Sequence, residues 1–304
     1  MKSAMSAQPI PLSSRIRSNI KIYQAYRNKL FGSGKATKII EYYNHLADSF
    51  TAQTGLDVEG ARMLEIGCGQ LAHQTALFST RGAKVTGIDV EVATYQMSLA
   101  MLLKMARENG LERAVKSLAR AALFDSHTKR AVSDVFGQHV TYKDLDTCVM
   151  DACEMKFTDM TFDFIFSRAV FEHIADVSAA AAETNRVLAD RGIAIIYIHL
   201  FPSLSGGHNL EWLNPDEICD RSAEPWDHLL SNKFPVNTYL NKLRINDYRD
   251  IFYKHLDVQK EITITEGEKH LTAARLKKLE ALGYTREDLL TRTIGFYAKR
   301  AVAA

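Results

Sequence analysis

Few cysteines, little net charge and no long apolar run limit what this chain can be. Its four cysteines (Cys68, Cys148, Cys153, Cys219) form no CxxC pair and no zinc-ligand spacing, so a reduced, cytoplasmic setting is expected. No hydrophobic run approaches the roughly 20 residues that cross a bilayer, so no integral membrane segment is expected. A formal net charge of +2 gives no overall reason to expect a nucleic-acid partner. Internal repeats and low-complexity tracts are absent. What remains is an ordinary globular composition, 46% hydrophobic and 24% charged over 304 residues. That is enough chain for one large α/β domain or two modest ones.

Acid is missing from the start of the chain. Lys2, Arg15, Arg17, Lys21, Arg27, Lys29, Lys35 and Lys38 precede Glu41, the first carboxylate. Residues 1–14, with Pro9 and Pro11, read as a tail. Residues 15–31 read as a helix with Ile16, Ile20, Tyr23 and Leu30 on its apolar face, suited to capping a pocket or docking on an acidic surface. An organellar transit peptide has the same Ser-rich, acid-free composition. Residues 1–55 are therefore set apart as a tail and helical cap, the second helix covering 37–54.

Residues 63–70 (MLEIGCGQ) organise the rest. A short apolar run suits a strand buried on both faces. It breaks at Gly67-Cys68-Gly69, where the backbone can turn tightly and a ligand can approach closely. Helical spacing over 71–80 then presents backbone N–H groups at a helix N-terminus. Further strands are expected at 84–89, 147–151, 162–167, 192–199, 258–265 and 291–299. Helices are expected at 91–109, 111–136, 171–189, 241–256 and 271–282. The stretch 91–140 exceeds what a crossover needs and reads as an insertion. Residues 200–235, which hold both tryptophans, read as an elaborated substrate loop. The alternation predicts an α/β fold, a doubly wound, mostly parallel seven-stranded sheet over 56–304, with a ligand crevice at the carboxyl ends of the strands.

Gly67-x-Gly69-x-x-Ala72 with Asp89 about 20 residues on satisfies a dinucleotide pattern, and an acid ending the second strand can hold a ribose diol. A NAD(P)-dependent oxidoreductase remains open on these residues alone, although no hydride-transfer constellation is recognisable. Four stretches together resemble the class I S-adenosylmethionine-dependent methyltransferases, in the group with the type 11 methyltransferase domain. They are LEIGCGQ at 64–70, VTGIDV at 85–90, MDACEM at 150–155 with FDFIFSRAVFEHIAD at 162–176, and NRVLADRGIAII at 185–196. The usual proline-glycine turn before the fifth strand is here Asp190-Arg191-Gly192.

The resemblance implies S-adenosylmethionine as cofactor and a Rossmann-like fold. It puts Glu65 near the methionine ammonium, Gly67, Cys68 and Gly69 against the cofactor, and Asp89 and Val90 at the ribose. Asp151 and Ala152 would meet the adenine, and Ser167 the methionine portion. A small-molecule acceptor is implied, methylated on O, N or C. A catalytically silent S-adenosylmethionine-binding protein would share all these features.

Methyl transfer is an in-line displacement, and an oxygen nucleophile would need a base, commonly histidine. His173, His199 and His208 sit where this fold puts substrate, and each also has a plain packing reading. Trp212 and Trp226 would either line a pocket or pin the loop. His208, Asp227 and His228 lack metal-ligand spacing, and no metal is expected.

Overall fold

The computed structural model describes residues 33–93, 95, 103, 106–107, 110, 125–212, 223–233, 235–236 and 238–301. The expected tail, the basic helix at 15–31 and most of the inserted helix at 91–109 lie outside the described residues. Helix α1 (Ser33–Thr54) comes first. Its buried residues Ala36, Ile40, Tyr43, Leu46 and Phe50 recur at helical spacing and form a single stripe on the core. Next come β1 (Arg62–Ile66), α2 (His73–Thr80) and β2 (Lys84–Asp89). Within the insertion lies α3 (Ser126–Phe136), and past it come β3 (Asp146–Val149), β4 (Phe162–Arg168), α4 (Val177–Val187) and β5 (Leu188–His199). The chain closes with α5 (Ile245–His255), β6 (Asp257–Thr265), α6 (Ala273–Glu280), α7 (Arg286–Leu290) and β7 (Thr291–Lys299).

Among the described residues these strands make one seven-stranded sheet in the order β3-β2-β1-β4-β5-β7-β6. β7 runs antiparallel between β5 and β6, and the other pairings are parallel. This is the expected doubly wound, mostly parallel sheet. Its alternation is physical: Phe164, Phe166, Ile193 and Ile195 face one core, while Ile165, Ala194 and Ile196 face the other. Helices α1, α2 and α3 contribute to the first core, and α4 and α5 to the second. No helix among the described residues is long and apolar enough to cross a membrane.

Two local expectations are corrected. The helix expected over 171–189 is split into a 3-10 turn, Phe171–His173, and α4. Asn241 causes the break, because its Nδ2 donates to the carbonyls of Phe171 and Ile174, which a continuous helix would use internally. Asp176 then caps α4 by accepting from the Ala179 N–H. The turn expected at residues 190–192 is instead part of β5, which starts at Leu188. A Cβ on Gly192 would lie 2.8 Å from the Asp163 carbonyl oxygen, so glycine there serves close strand approach. The five-residue helix α7 was not anticipated.

Candidate functional site

The first half of the site is the turn between β1 and α2. Gly67 and Gly69 have φ of +77° and +63°, and Ala72, at the head of α2, is also left-handed at +45°. The two glycines differ in kind. A Cβ on Gly67 would meet Val170 Cγ2 at 2.1 Å, whereas nothing lies within 4 Å of one on Gly69. Packing therefore requires Gly67, and the space for a ligand is at Gly69.

Asp89 ends β2 half-buried, its Oδ2 accepting from the Gly69 N–H and its Oδ1 from the Glu91 N–H, each at 2.9 Å. It thereby holds the glycine turn while keeping lone pairs for a diol. Glu65 is buried, and its Oε2 accepts from both the N–H and hydroxyl of Thr75. Burial pushes its carboxyl up to about 7, against the two Thr75 hydrogen bonds that favour the carboxylate. A cleft of about 480 Å³ opens here, lined by Glu65, Gly69, Glu91, Tyr42 and Arg168 among others. Tyr42 comes from α1, with the Arg168 guanidinium 4.6 Å from its ring centre. Neither residue is marked as a site residue by the sequence: Tyr42 lies outside the four stretches, and Arg168, although within 162–176, has no role that its local pattern reveals.

The remaining cofactor candidates flank this turn. Cys68 is buried, its thiol pushed up by desolvation, and Val90 is exposed. Asp151 is exposed and accepts from the Cys153 N–H, while Ala152 is buried beneath it. The neighbouring Met150 N–H donates to the Asp89 carbonyl, which ties this loop to the end of β2. Ser167 is buried and donates its hydroxyl to the Ile66 carbonyl, linking the ends of β4 and β1. The set fits a nucleoside carrying an amino acid: bare backbone at Gly69, an acid at a diol position, and a carboxylate and a guanidinium in one cleft.

The second half of the site lies beyond β4 and β5, and it brings His173, His199 and His208 together. The His208 ring centre lies 5.1 Å from that of His173 and 4.8 Å from that of His199. Sequence explains how His208 gets there. A Cβ on Gly206 would stand 2.2 Å from the Leu200 carbonyl oxygen, and one on Gly207 2.5 Å from the His228 ring. The Gly-Gly pair thus lets the loop fold back on itself and present His208, whose own φ is +54°. His173 donates from Nδ1 to the Tyr239 carbonyl at 2.8 Å. His199 Nε2 lies 2.8 Å from Ser205 Oγ, and that hydroxyl donates to Glu266 Oε1.

Beneath the three rings sits Glu172, 1% exposed, with neither carboxylate oxygen hydrogen-bonded. His208 Nε2, also buried and without a partner, is 4.0 Å from Glu172 Oε1. Burial pushes Glu172 up to about 8, against weaker opposing effects of the Glu172 and His199 backbone amides, which stay outside hydrogen-bond geometry. Burial also lowers His208 to about 4 and His199 further, aided by neighbouring imidazoles and Arg292. Burial thus favours the uncharged forms of Glu172, His199 and His208. Glu172 went unrecognised in the sequence because an acid preceding a histidine is unremarkable until the fold buries it.

The loop candidates separate. Trp212 and Trp226 are buried in a third apolar cluster with Leu279 and Leu289, so they pin the loop. His228 Nε2 donates to the Phe201 carbonyl, and Asp227 accepts from Ser231 and from the Lys233 N–H. These two are structural, and they do not gather with His208 as a ligand set.

Residues 114–196 match a family model described as a methyltransferase domain. The match takes in β3 and β4 and most of β5, and begins after the glycine turn. No curated protein matches the sequence. Solved structures similar to this chain include Haemonchus contortus phosphoethanolamine N-methyltransferase 2 in complex with S-adenosyl-L-methionine, at 20% identity and a TM-score of 0.43. That similarity covers 84% of this chain and 53% of the nematode chain. PH0226 protein from Pyrococcus horikoshii OT3 is similar at 13% identity and TM-score 0.46, covering 91% of this chain and 99% of the other. Such loose likenesses carry no substrate over to this chain.

Proposed function

On the premise that this chain is a methyltransferase of the doubly wound class, we propose that it moves a methyl group from S-adenosylmethionine to a small-molecule acceptor. The observation that carries this reading is a juxtaposition. Val170 packs against Gly67 of the glycine turn, and the next three residues are the 3-10 turn that holds Glu172 and His173. One short segment therefore links a nucleoside-type cleft to a buried histidine cluster.

The bound cofactor would supply a methyl group already activated on sulfur. The chain's own residues then have to align, exclude water and manage a proton. Asp89 accepts from the two ribose hydroxyls, and Asp151 from the adenine amino group. Glu65 faces the ammonium, and Arg168 with Tyr42 the carboxylate. On the acceptor side, Glu172, His173, His199 and His208 line the place of the nucleophile, and an imidazole whose lone pair is not otherwise engaged takes its proton.

Calorimetry with S-adenosylmethionine tests the cofactor half. Asp89→Ala should weaken binding by about 1–3 kcal/mol, the cost of leaving buried donors without a partner. Unchanged affinity in the folded variant would remove Asp89 from the site. Radiolabelled methyl transfer to extract metabolites tests the acceptor half, and incorporation into protein alone would overturn the small-molecule assignment.

A further inference from the structure

We infer that Glu172, His199 and His208 form a binding site for a divalent first-row transition ion, with zinc-type chemistry, at the acceptor end of the cleft. One ligand atom from each residue can be chosen so that all lie within 4.8 Å of one another. The inference goes beyond methyl transfer and stands whether or not the chain performs it. Only the role given to the ion rests on that reading.

The donor set is two imidazoles and one carboxylate, a combination that suits zinc or iron better than magnesium or calcium, which favour all-oxygen shells. Two independent features point to a ligand. Glu172 is almost wholly buried with both oxygens unpartnered, and His208 Nε2 is buried and unpartnered beside it. Buried polar atoms without partners are costly, and three in one place call for a common occupant.

The third ligand is already oriented. Ser205 Oγ has one hydrogen and donates it to Glu266 Oε1 at 2.7 Å. The 2.8 Å contact from His199 Nε2 must then be an N–H donated to that oxygen, which leaves the lone pair on Nδ1. Glu266 is held in turn by the Ser205 N–H at 2.6 Å and lies 3.6 Å from Arg292 Nε. The imidazole is thus held through its other nitrogen by a hydroxyl that a carboxylate backs, a relayed form of the outer support usual at metal sites.

An ion with ligand distances of about 2.1 Å needs its tetrahedral ligands roughly 3.4 Å apart, so modest side-chain rotation closes the set. His208 sits on the Gly206-Gly207 loop, its side chain 22% accessible against 1% for Glu172. The fourth position is left to the acceptor. There the ion would bind the acceptor's oxygen or nitrogen directly and lower the cost of deprotonating it.

The test is titration of untagged, chelator-treated full-length protein with zinc by calorimetry, and with cobalt(II) by visible absorption, without cofactor or acceptor. One ion per chain is expected, with micromolar or tighter affinity. Glu172→Gln and His208→Gln should each weaken it at least tenfold while keeping a cooperative melt. His127→Gln, at an exposed histidine on α3, should not. Magnesium at the same concentration should give no heat. Should the two ligand variants fail to fold, anomalous scattering from cobalt-soaked wild-type crystals decides the matter. A peak among Glu172, His199 and His208 supports the site; a peak elsewhere, or none, overturns it. Full zinc affinity in folded Glu172→Gln, or no binding by the wild type, overturns it equally. Because none of these readouts uses methyl transfer, an inactive protein that binds zinc here would sink the functional reading and leave the metal site standing.

Discussion

Glu65 shows how one buried residue couples the site to stability. Its carboxyl has an ordinary value of 4.5 and is raised to about 7 in the folded chain, chiefly by desolvation. Below 4.5 it is protonated in both states and costs nothing. Between 4.5 and 7 the unfolded chain ionises while the folded chain holds its proton, so stability falls as pH rises, and the loss is complete above about 7. The loss should be roughly 3 kcal/mol, taking 1.36 kcal/mol per unit. Glu65→Gln keeps an oxygen for the Thr75 donors and has no proton to lose. Urea titrations at pH 4.5 and 7.5 should therefore show the variant gaining on wild type by that amount. Parallel behaviour at both pH values would mean that Glu65 is not desolvated in the free protein.

At the scale of elements, the turn between β1 and α2 contains two glycines with separate duties. Gly67→Ala places a Cβ 2.1 Å from Val170 at a left-handed φ, so steric displacement adds to backbone strain and stability should fall by about 2 kcal/mol or more. Gly69→Ala meets open space and should cost only the left-handed penalty of about 1 kcal/mol. Binding should rank differently: per folded molecule, Gly69→Ala should lose more S-adenosylmethionine affinity, because its Cβ enters the ligand's volume. Melting curves and calorimetry on the two variants separate these roles. Wild-type affinity in Gly69→Ala would move the ligand off this turn. The 3-10 turn Phe171–His173 carries the same lesson. Asn241, arriving from a distant loop, takes its carbonyls and so turns Glu172 inward.

At the scale of the whole molecule, the sheet separates two apolar cores that share no side chains among the described residues. Phe78 on α2 is fully buried in one, and Phe252 on α5 stacks on Phe296 at 4.3 Å in the other. Each Phe→Ala change should cost about 3–5 kcal/mol through lost burial and a residual cavity. In the double variant the costs should add within about 0.5 kcal/mol, because the two sites share no partners. Equilibrium denaturation of the singles and the double measures this. A larger coupling would mean that the sheet transmits strain between its faces.

The sequence by itself determined the seven strands in their order and the glycine turn with its acid at Asp89, because burial on two faces and tight turning leave periodic, local marks. It also put His173 after the fourth strand, His199 at the end of the fifth and His208 in the loop beyond. Only the tertiary structure decided that those three rings meet, since β4, β5 and the returning loop are joined through space. The splitting of the helix after β4 was equally illegible, because its cause is a side chain about 70 residues away. Glu172 and Arg168 became site residues only when the fold buried one and turned the other toward Tyr42. Burial and encounter are properties of packing, and a local pattern cannot encode which distant group will arrive.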